Sequence, residues 1–286
     1  MFSQAEVNKL LLDAWPERLE KSCVLMVGAK APRFGTIGSG VLFQIAEAFF
    51  LVTAAHVFRN AHLNGLTIGI TSDNNRFLVL SGEWYSISLE SFEAFEDSVD
   101  IAVYRFSQSE LAKLNESDFL RMSNVGNPRS NGIYTVVGFP GVLAGVVDGA
   151  PDTLLNRALA LTIPAHDGPL PALHNFNPKY SIVLDANSAF STSKEGDQAL
   201  MSNLSANAQD TLKDLKGMSG GPVWIIATSG TNPASWKRDF PKLIGVQIGI
   251  FPESDLLRVT KWECVIKFIR LGWPELSSAI DITSGG

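Results

Sequence analysis

The feature that most constrains the fold is a series of short apolar or alternating segments, separated by Gly, Pro, Asn and Ser, that begins at Ser22. Segments of this length and spacing are typical of strands in an all-β barrel or sandwich. The first series comprises SCVLMVGA, GSGVLFQIA, AFFLVTAAHVF, LTIGITS, RFLVLSGEWYSISLE and VDIAVYRF. The second series comprises IYTVVGFPG, ALALTIPA, YSIVLDA, GGPVWIIA and LIGVQIGIF. We therefore expect an all-β fold built from two successive sets of strands.

A mostly polar stretch, residues 107–132, separates the two series and places a domain boundary near residue 125. The predicted units are residues 21–125 and 126–286. Ahead of them, residues 1–20 carry apolar side chains at helical spacing and predict an N-terminal helix. At the other end, the segment DLLRVTKWECVIKFIRLGW shows helical spacing from Leu257 onward and predicts a closing C-terminal helix.

Composition limits the classes of function. The chain has 286 residues, of which 45% are hydrophobic and 18% charged, so it can bury a sizeable core. Its net charge of −6 and the lack of a basic block argue against nucleic-acid binding. No run approaches the roughly 20 apolar residues of a membrane span, and charges interrupt the N-terminus where a secretory signal needs an apolar run. Cys23 and Cys264 are flanked by apolar residues, which favours buried free thiols and a cytoplasmic location.

The turn Gly217-Met218-Ser219-Gly220-Gly221 precedes an apolar strand and carries the strongest chemical signal. A serine that hydrolyses an amide needs a neutral base, an acceptor that orients the base, and fixed donors for the oxyanion. Glycines reach dihedral angles closed to other residues, so the amides of Gly217 and Ser219 can point at one spot and form an oxyanion hole. The alternative is a tight β-turn that needs glycine for its shape alone.

His56 and Asp100 are the candidate base and orienting acid. His56 follows an apolar strand in LVTAAHVF, with small residues before it that leave room for the ring. Asp100 stands directly before the apolar run Ile101–Val103, where its carboxylate can accept a proton from His56 Nδ1. Taken singly, a histidine after a strand is more often structural, and an aspartate before an apolar run is more often a turn or cap residue. Asp97 is the fallback acid. The order TAAH, DIAV, GMSGGPV across two strand series favours catalysis.

These motifs resemble the trypsin-like, chymotrypsin-fold serine peptidases, especially the bacterial intracellular and stress-protease-like branch. The resemblance spans roughly residues 22–270 and includes GSGVLF, VVGFPG and LIGVQIG beside the three motifs above. It implies two six-stranded antiparallel β-barrels with the site in the cleft between them. His56 and Asp100 then come from the first barrel and Ser219 from the second, and they act as a triad through an acyl-enzyme. The implied activity is that of a serine endopeptidase on a protein or peptide substrate.

The sequence departs from the secreted members of that family at Met218, where they carry an aspartate that pairs with a newly cut N-terminus. Activation by N-terminal clipping is therefore not expected. The active site is either formed constitutively or completed by a partner, which is a regulatory protein or a fused domain. The polar segment 187–214 fits the second option, because it occupies the place of an activation loop in such enzymes. The P1 specificity stays open between three alternatives. Lys213 suggests an acidic P1 residue, Asp214 a basic one, and a pocket floor made by Leu212 or Leu215 an apolar one. Gln247 is a candidate polar lining residue.

No cofactor is expected. His166 and His174 lie eight residues apart near Asp167, but no Cys or Glu completes a zinc pattern, so no metal is expected either. The competing function is a catalytically silent module that keeps the fold for protein binding. All three triad residue types are present, which favours the enzyme. A third reading makes the domain one part of a larger regulated machine.

Overall fold

The computed structural model describes thirteen stretches of the chain: residues 21–30, 33–71, 77–86, 99–141, 145–147, 150–155, 158–170, 173, 176–186, 190–191, 215–228, 241–251 and 253–284. The predicted N-terminal helix over residues 1–20 lies outside them. So does most of the segment 187–214.

The first strand series forms one antiparallel sheet of seven strands in the order β5-β4-β1-β2-β3-β7-β6. Its longest strand, β2, pairs with β1 through a register shift between Met26 and Val27, and such a bulge adds the bend and twist that let a sheet curl. Strand β3, with the sequence AFFLVTA, is buried at every position. The strand bounds are β1 Cys23–Lys30, β2 Arg33–Ile45, β3 Ala48–Ala54, β4 Thr67–Thr71, β5 Phe77–Val79, β6 Glu83–Ser86 and β7 Ile101–Arg105.

The second series forms another seven-stranded antiparallel sheet, in the order β12-β16-β15-β14-β8-β11-β13, and a separate hairpin of β9 and β10. An isolated bridge from Ala165, just past β11, to Leu184 on β12 brings the two sides of this sheet together. The bounds are β8 Gly132–Gly138, β9 Gly145–Val147, β10 Ala150–Leu155, β11 Leu159–Pro164, β12 Ser181–Asp185, β13 Phe190–Ser191, β14 Pro222–Thr228, β15 Lys242–Phe251 and β16 Leu256–Lys261.

Two curled antiparallel sheets confirm the predicted all-β, two-barrel architecture. Within the described ranges, each sheet contains seven strands where the resemblance implies six. In the first sheet, the run RFLVLSGEWYSISLE contributes two strands, because its halves pair at opposite edges of the sheet: β5 with β4 and β6 with β7. The first sheet ends with Arg105 and the second begins at Gly132. The boundary at residue 125 stays a prediction.

Four α-helices accompany the sheets within the described residues: α1 Ala55–Leu63, α2 Gln108–Leu111, α3 Trp262–Gly272 and α4 Ser277–Ser284. Helix α3 confirms the predicted closing helix but begins at Trp262. The helical reading of the residues from Leu257 was wrong, because they form β16. This strand lies inside the sheet with side chains buried on both faces, so its apolar run has no strand alternation to recognise. No described helix has the length and apolar character needed to cross a membrane.

Helix α3 and the residues after it pack on the first sheet. Phe43 on β2 meets Trp262 edge-on at 4.9 Å between ring centroids, and Phe50 on β3 meets Trp273 at 5.0 Å. The larger apolar core contains residues of both sheets, so the contact between them is itself hydrophobic. Cys23 and Cys264 are buried free thiols, as predicted.

Candidate active site

His56 and Asp100 lie at adjoining ends of paired strands. Strand β3 runs into α1, whose second residue is His56, and β3 pairs with β7 so that Ala54 faces Ile101. This register puts Asp100, the residue before β7, beside the first turn of α1. Asp100 Oδ2 is 2.6 Å from His56 Nδ1, and Asp100 Oδ1 accepts the His56 backbone amide at 3.0 Å. The carboxylate thus holds both the ring and the backbone of the histidine.

Asp100 adopts a left-handed backbone conformation with φ of +45°. Aspartate and asparagine tolerate this region better than most residues. Its carbonyl accepts the Ala55 amide at 2.9 Å, and the preceding carbonyl, of Val99, accepts the Thr260 hydroxyl at 2.5 Å. The side chain of Asp100 is 17% exposed and that of His56 37% exposed, so the acid is shielded while the ring remains open to a reactant. Arg59 Nη2 lies 3.9 Å from Asp100 Oδ1.

Ser219 lies in a turn docked onto both sheets through its backbone. Its carbonyl accepts the amide of Ser39 on β2 at 2.8 Å. The next amide, of Gly220, donates to the Gln247 carbonyl on β15 at 2.8 Å. Gly217 and Gly220 have φ of +101° and +92°, where side chains are strained, which explains two of the glycines that the sequence places around the serine.

Gly38 joins the turn to the helix that carries His56. A Cβ on Gly38 would lie 2.6 Å from Val57 Cγ1 and 3.1 Å from the Ser219 carbonyl oxygen. The residue after His56 and the backbone of Ser219 therefore pack against the same glycine. The Ser219 backbone thus lies close to the residue after His56, and the His56–Asp100 contact is formed directly. The triad as a whole stays a prediction.

The amides around Ser219 fall into two groups. Those of Met218, Gly220 and Gly221 donate to backbone carbonyls at 3.1, 2.8 and 2.9 Å. Those of Gly217 and Ser219 donate to no acceptor within the part of the chain that the structure describes. Two N–H groups that flank one residue in a glycine turn, with no acceptor among the described residues, are what an oxyanion requires.

The predicted pocket residues have different outcomes. Gln247 is buried, and its backbone pairs with the turn because its amide donates to the Gly221 carbonyl at 2.9 Å. Its Nε2 donates to the Gly249 carbonyl at 3.2 Å, whereas its Oε1 has no hydrogen-bond partner among the described residues. Lys213 and Asp214 lie outside the described residues, as does the fallback acid Asp97. The role of Gln247 and the P1 alternatives stay predictions.

A metal centre finds no support in the described ranges, which contain no group of three His, Cys, Asp or Glu that could hold an ion. His166 lies in a described loop, and His174 lies outside the described residues.

The structure adds two residues that the sequence did not single out, Ser39 and Thr260. For Ser39 a signal existed: it stands between Gly38 and Gly40, and a Cβ on Gly40 would lie 2.4 Å from Leu51 Cδ1. Glycines on both sides mark a tightly packed backbone. For Thr260, an ordinary strand residue, the sequence carries no signal.

Comparison with known proteins finds matches among solved structures. No family model matches the chain, and no curated protein matches it. The serine endoprotease from Yersinia pestis aligns at 13% identity over 93% of this chain and 67% of its own, with a TM-score of 0.48. The MamO protease domain from Magnetospirillum magneticum aligns at 12% identity over 88% and 97%, with a TM-score of 0.46. The active form of the Rv3671c protease from M. tuberculosis aligns at 16% identity over 93% and 86%, with a TM-score of 0.45. The bacterial intracellular and stress-protease-like branch stays a prediction.

Proposed function

We propose that the protein is a serine endopeptidase that hydrolyses peptide bonds through His56, Asp100 and Ser219. The observation that carries the proposal is the 2.6 Å contact between His56 Nδ1 and Asp100 Oδ2 beside a glycine turn. The Gly217 and Ser219 amides of this turn donate to no acceptor among the described residues. An acid-oriented imidazole, a serine and two free backbone donors are the parts that acyl transfer to serine needs.

In the proposed reaction His56 Nε2 takes the proton of Ser219 Oγ as the oxygen attacks the substrate carbonyl. The amides of Gly217 and Ser219 donate to the oxyanion of the tetrahedral intermediate. His56 then gives the proton to the leaving amine, which leaves an acyl-enzyme on Ser219. In the second half, His56 takes a proton from water as the water oxygen attacks the acyl-enzyme. His56 then returns the proton to Ser219 Oγ, and the acid product leaves. Asp100 stays ionised throughout and holds the imidazole in one tautomer.

The proposal includes a protein or peptide substrate and a reducing, cytoplasmic setting that suits the two free thiols. It also includes activation without N-terminal clipping, since Met218 is apolar and 2% exposed. It further includes a regulatory protein or fused domain that acts on the segment 187–214.

The test is labelling of the isolated chain with a fluorophosphonate probe, followed by peptide mapping. We expect one label, on Ser219, in the folded protein. It should be absent from Ser219→Ala and slowed by several powers of ten in His56→Ala. The urea-unfolded chain is the control, because a triad activates serine only when folded.

Each result decides between the alternatives. Stoichiometric labelling of the isolated chain would make a partner dispensable for activation. No labelling at Ser219 would contradict the proposal for this chain and favour the silent binding module. Equal labelling of folded and unfolded chains would show a reagent artefact rather than an activated serine.

A further inference from the structure

We infer that the buried hydroxyl of Ser39 is a positioning residue that sets the orientation of the Gly217 amide. Ser39 is 0% exposed. Its Oγ donates to the Gly217 carbonyl at 2.8 Å and accepts the Phe139 amide at 2.9 Å. A side chain of the first sheet thus forms a hydrogen bond with the residue of the turn that carries a predicted oxyanion donor. The catalytic consequence rests on the proposed function, while the positioning itself does not.

The first route runs through the Gly217–Met218 peptide. Ser39 Oγ holds its carbonyl, and its N–H donates to the Leu215 carbonyl at 3.1 Å. A peptide unit is planar, so bonds at both of its ends fix its plane. The plane of this peptide and that of the preceding Lys216–Gly217 peptide together set the backbone angles of Gly217, whose φ is +101°. A Cβ on Gly217 would lie 2.6 Å from the Phe139 carbonyl oxygen, so the turn is also packed closely against this neighbour.

The second route runs through residues 139–141. Ser39 Oγ holds the amide of Phe139, and two residues later the amide of Gly141 donates to the Lys216 carbonyl at 2.6 Å. That carbonyl and the Gly217 N–H belong to the same peptide unit. In a trans peptide these two groups point in opposite directions. Gly141 therefore turns the Gly217 N–H away from itself, toward a side where no acceptor lies among the described residues and an oxyanion can bind.

The backbone of Ser39 reinforces the arrangement. Its amide donates to the Ser219 carbonyl at 2.8 Å, and its carbonyl accepts the Thr53 hydroxyl at 2.8 Å. Neutral groups make all of these bonds. Met218 cannot form an ion pair with a new N-terminus. The turn is instead held by hydrogen bonds from Ser39 and Gly141.

The decisive variant is Ser39→Ala, with Tyr134→Phe as its matched control. The Tyr134 hydroxyl also bridges two backbone groups, since it donates to the Arg129 carbonyl at 2.6 Å and accepts the Arg129 amide at 2.8 Å. Both substitutions remove one bridging hydroxyl, but only Ser39 contacts the turn.

A time course of fluorophosphonate labelling at Ser219 gives two quantities, the rate constant and the final labelled fraction. The rate constant is the readout. We expect Ser39→Ala to lower the rate constant by about tenfold to a hundredfold, as for a misplaced oxyanion donor. The labelled fraction and the pH dependence should stay as in the unaltered protein, because His56 and Asp100 are untouched. General loosening would instead lower the labelled fraction. Tyr134→Phe should label at the unaltered rate.

A second readout does not require activity. Gly217-Met218 is the only Gly-Met pair in the sequence. A chain made with carbonyl-¹³C glycine and ¹⁵N methionine therefore gives one NMR signal from the peptide that Ser39 holds. We expect Ser39→Ala to move this signal and Tyr134→Phe to leave it in place.

A Ser39→Ala rate constant within twofold of the unaltered value would overturn the inference. Equal slowing in both variants would overturn it as well. If the unaltered chain does not label, the proposed function fails, and the NMR signal alone decides about Ser39. A shift confined to Ser39→Ala would then support positioning, and no shift would exclude it.

Discussion

Asp100 combines an unusual backbone with a specific side-chain task. Its φ of +45° lies where few residue types are tolerated, and its two carboxylate oxygens contact the ring and the amide of His56. The strained backbone is held by the Ala55 amide and by the strand that starts at Ile101. Asparagine is the replacement that tests the carboxylate alone, because it shares the tolerance of aspartate for this conformation.

We predict that Asp100→Asn lowers the rate of Ser219 labelling by roughly four powers of ten, because the amide no longer enforces the required imidazole tautomer. The midpoint of thermal unfolding should change little, and a melting curve measured on the same preparation checks this. Labelling at the unaltered rate would remove Asp100 from the proposed triad.

Two factors require glycine in the turn at residues 217–221: the backbone angles and the close packing of neighbouring strands. A Cβ on Gly220 would lie 2.0 Å from the Ser39 carbonyl oxygen and 2.2 Å from Thr53 Oγ1, at a φ of +92°. The carbonyl cannot move without disturbing β2. The glycine is therefore required by both the backbone angle and the neighbouring strands.

We predict that Gly220→Ala destabilises the protein by about 3 kcal/mol or more, from overpacking and backbone strain together. Gly35→Ala is the control, because a Cβ there would meet nothing within 4 Å. Urea unfolding monitored by tryptophan fluorescence measures both. Similar midpoints for the two variants would contradict the packing of the turn.

Helix α2 is anchored by a buried carboxylate. Glu110 is 2% exposed and accepts the amides of Ser81 at 2.8 Å and Ser107 at 2.7 Å, and the hydroxyl of Tyr104. Burial raises the pKa of Glu110, but the hydrogen bonds outweigh burial and hold its pKa below the ordinary value. The ionised form therefore stabilises the fold above the ordinary glutamate pKa of about 4.3. This contribution is lost as the pH falls through the lower folded-state pKa.

We predict that Glu110→Gln lowers the free energy of unfolding at pH 7 by roughly 1.5–3 kcal/mol, the range for hydrogen bonds to a charged group. The difference from the unaltered protein should shrink as the pH falls below about 4.3, the ordinary glutamate pKa, and through the lower folded-state pKa of Glu110. Urea unfolding at pH 7 and at a series of acidic pH values measures it. Glu275→Gln, which removes an exposed partner of Arg105, should have little effect. A difference independent of pH would assign the effect to packing rather than charge.

At the scale of the whole molecule, the two sheets meet through a shared apolar core and through a hydrogen bond next to the site. Thr260 on β16 is fully buried and donates to the Val99 carbonyl, one residue before Asp100. The second sheet thus steadies the segment of the first sheet that carries the acid.

We predict that Thr260→Val, which is close to isosteric, lowers the free energy of unfolding by about 1–3 kcal/mol because it leaves a buried carbonyl without its donor. Thr260→Ser keeps the hydroxyl and should retain most of the stability lost in the valine variant. Equilibrium unfolding of the two variants provides the measurement. A valine variant as stable as the serine variant would show that the cross-sheet bond contributes nothing.

Much of the fold was predictable because strand formation leaves local traces. The runs around β1, β3 and β7 are short, apolar and bounded by turn residues, and all three are strands. β16 was not predictable, because burial on both faces removes the alternation that identifies a strand. Within the site, His56 and Asp100 could be predicted from the sequence, and the structure shows them in contact. The pocket residues Lys213 and Asp214 stay predictions.

The sequence alone determined the two strand series, the glycine turn around Ser219 and two buried thiols, because apolar spacing and glycine content act within a few residues. Only the tertiary structure decided how distant groups meet. The expected contact of His56 with Asp100 spans 44 positions, and the unexpected hydrogen bond from the Ser39 hydroxyl to the Gly217 carbonyl spans 178. Such pairs depend on strand register and on the docking of one sheet against the other. Both are set by packing of the whole chain, and no local pattern encodes them.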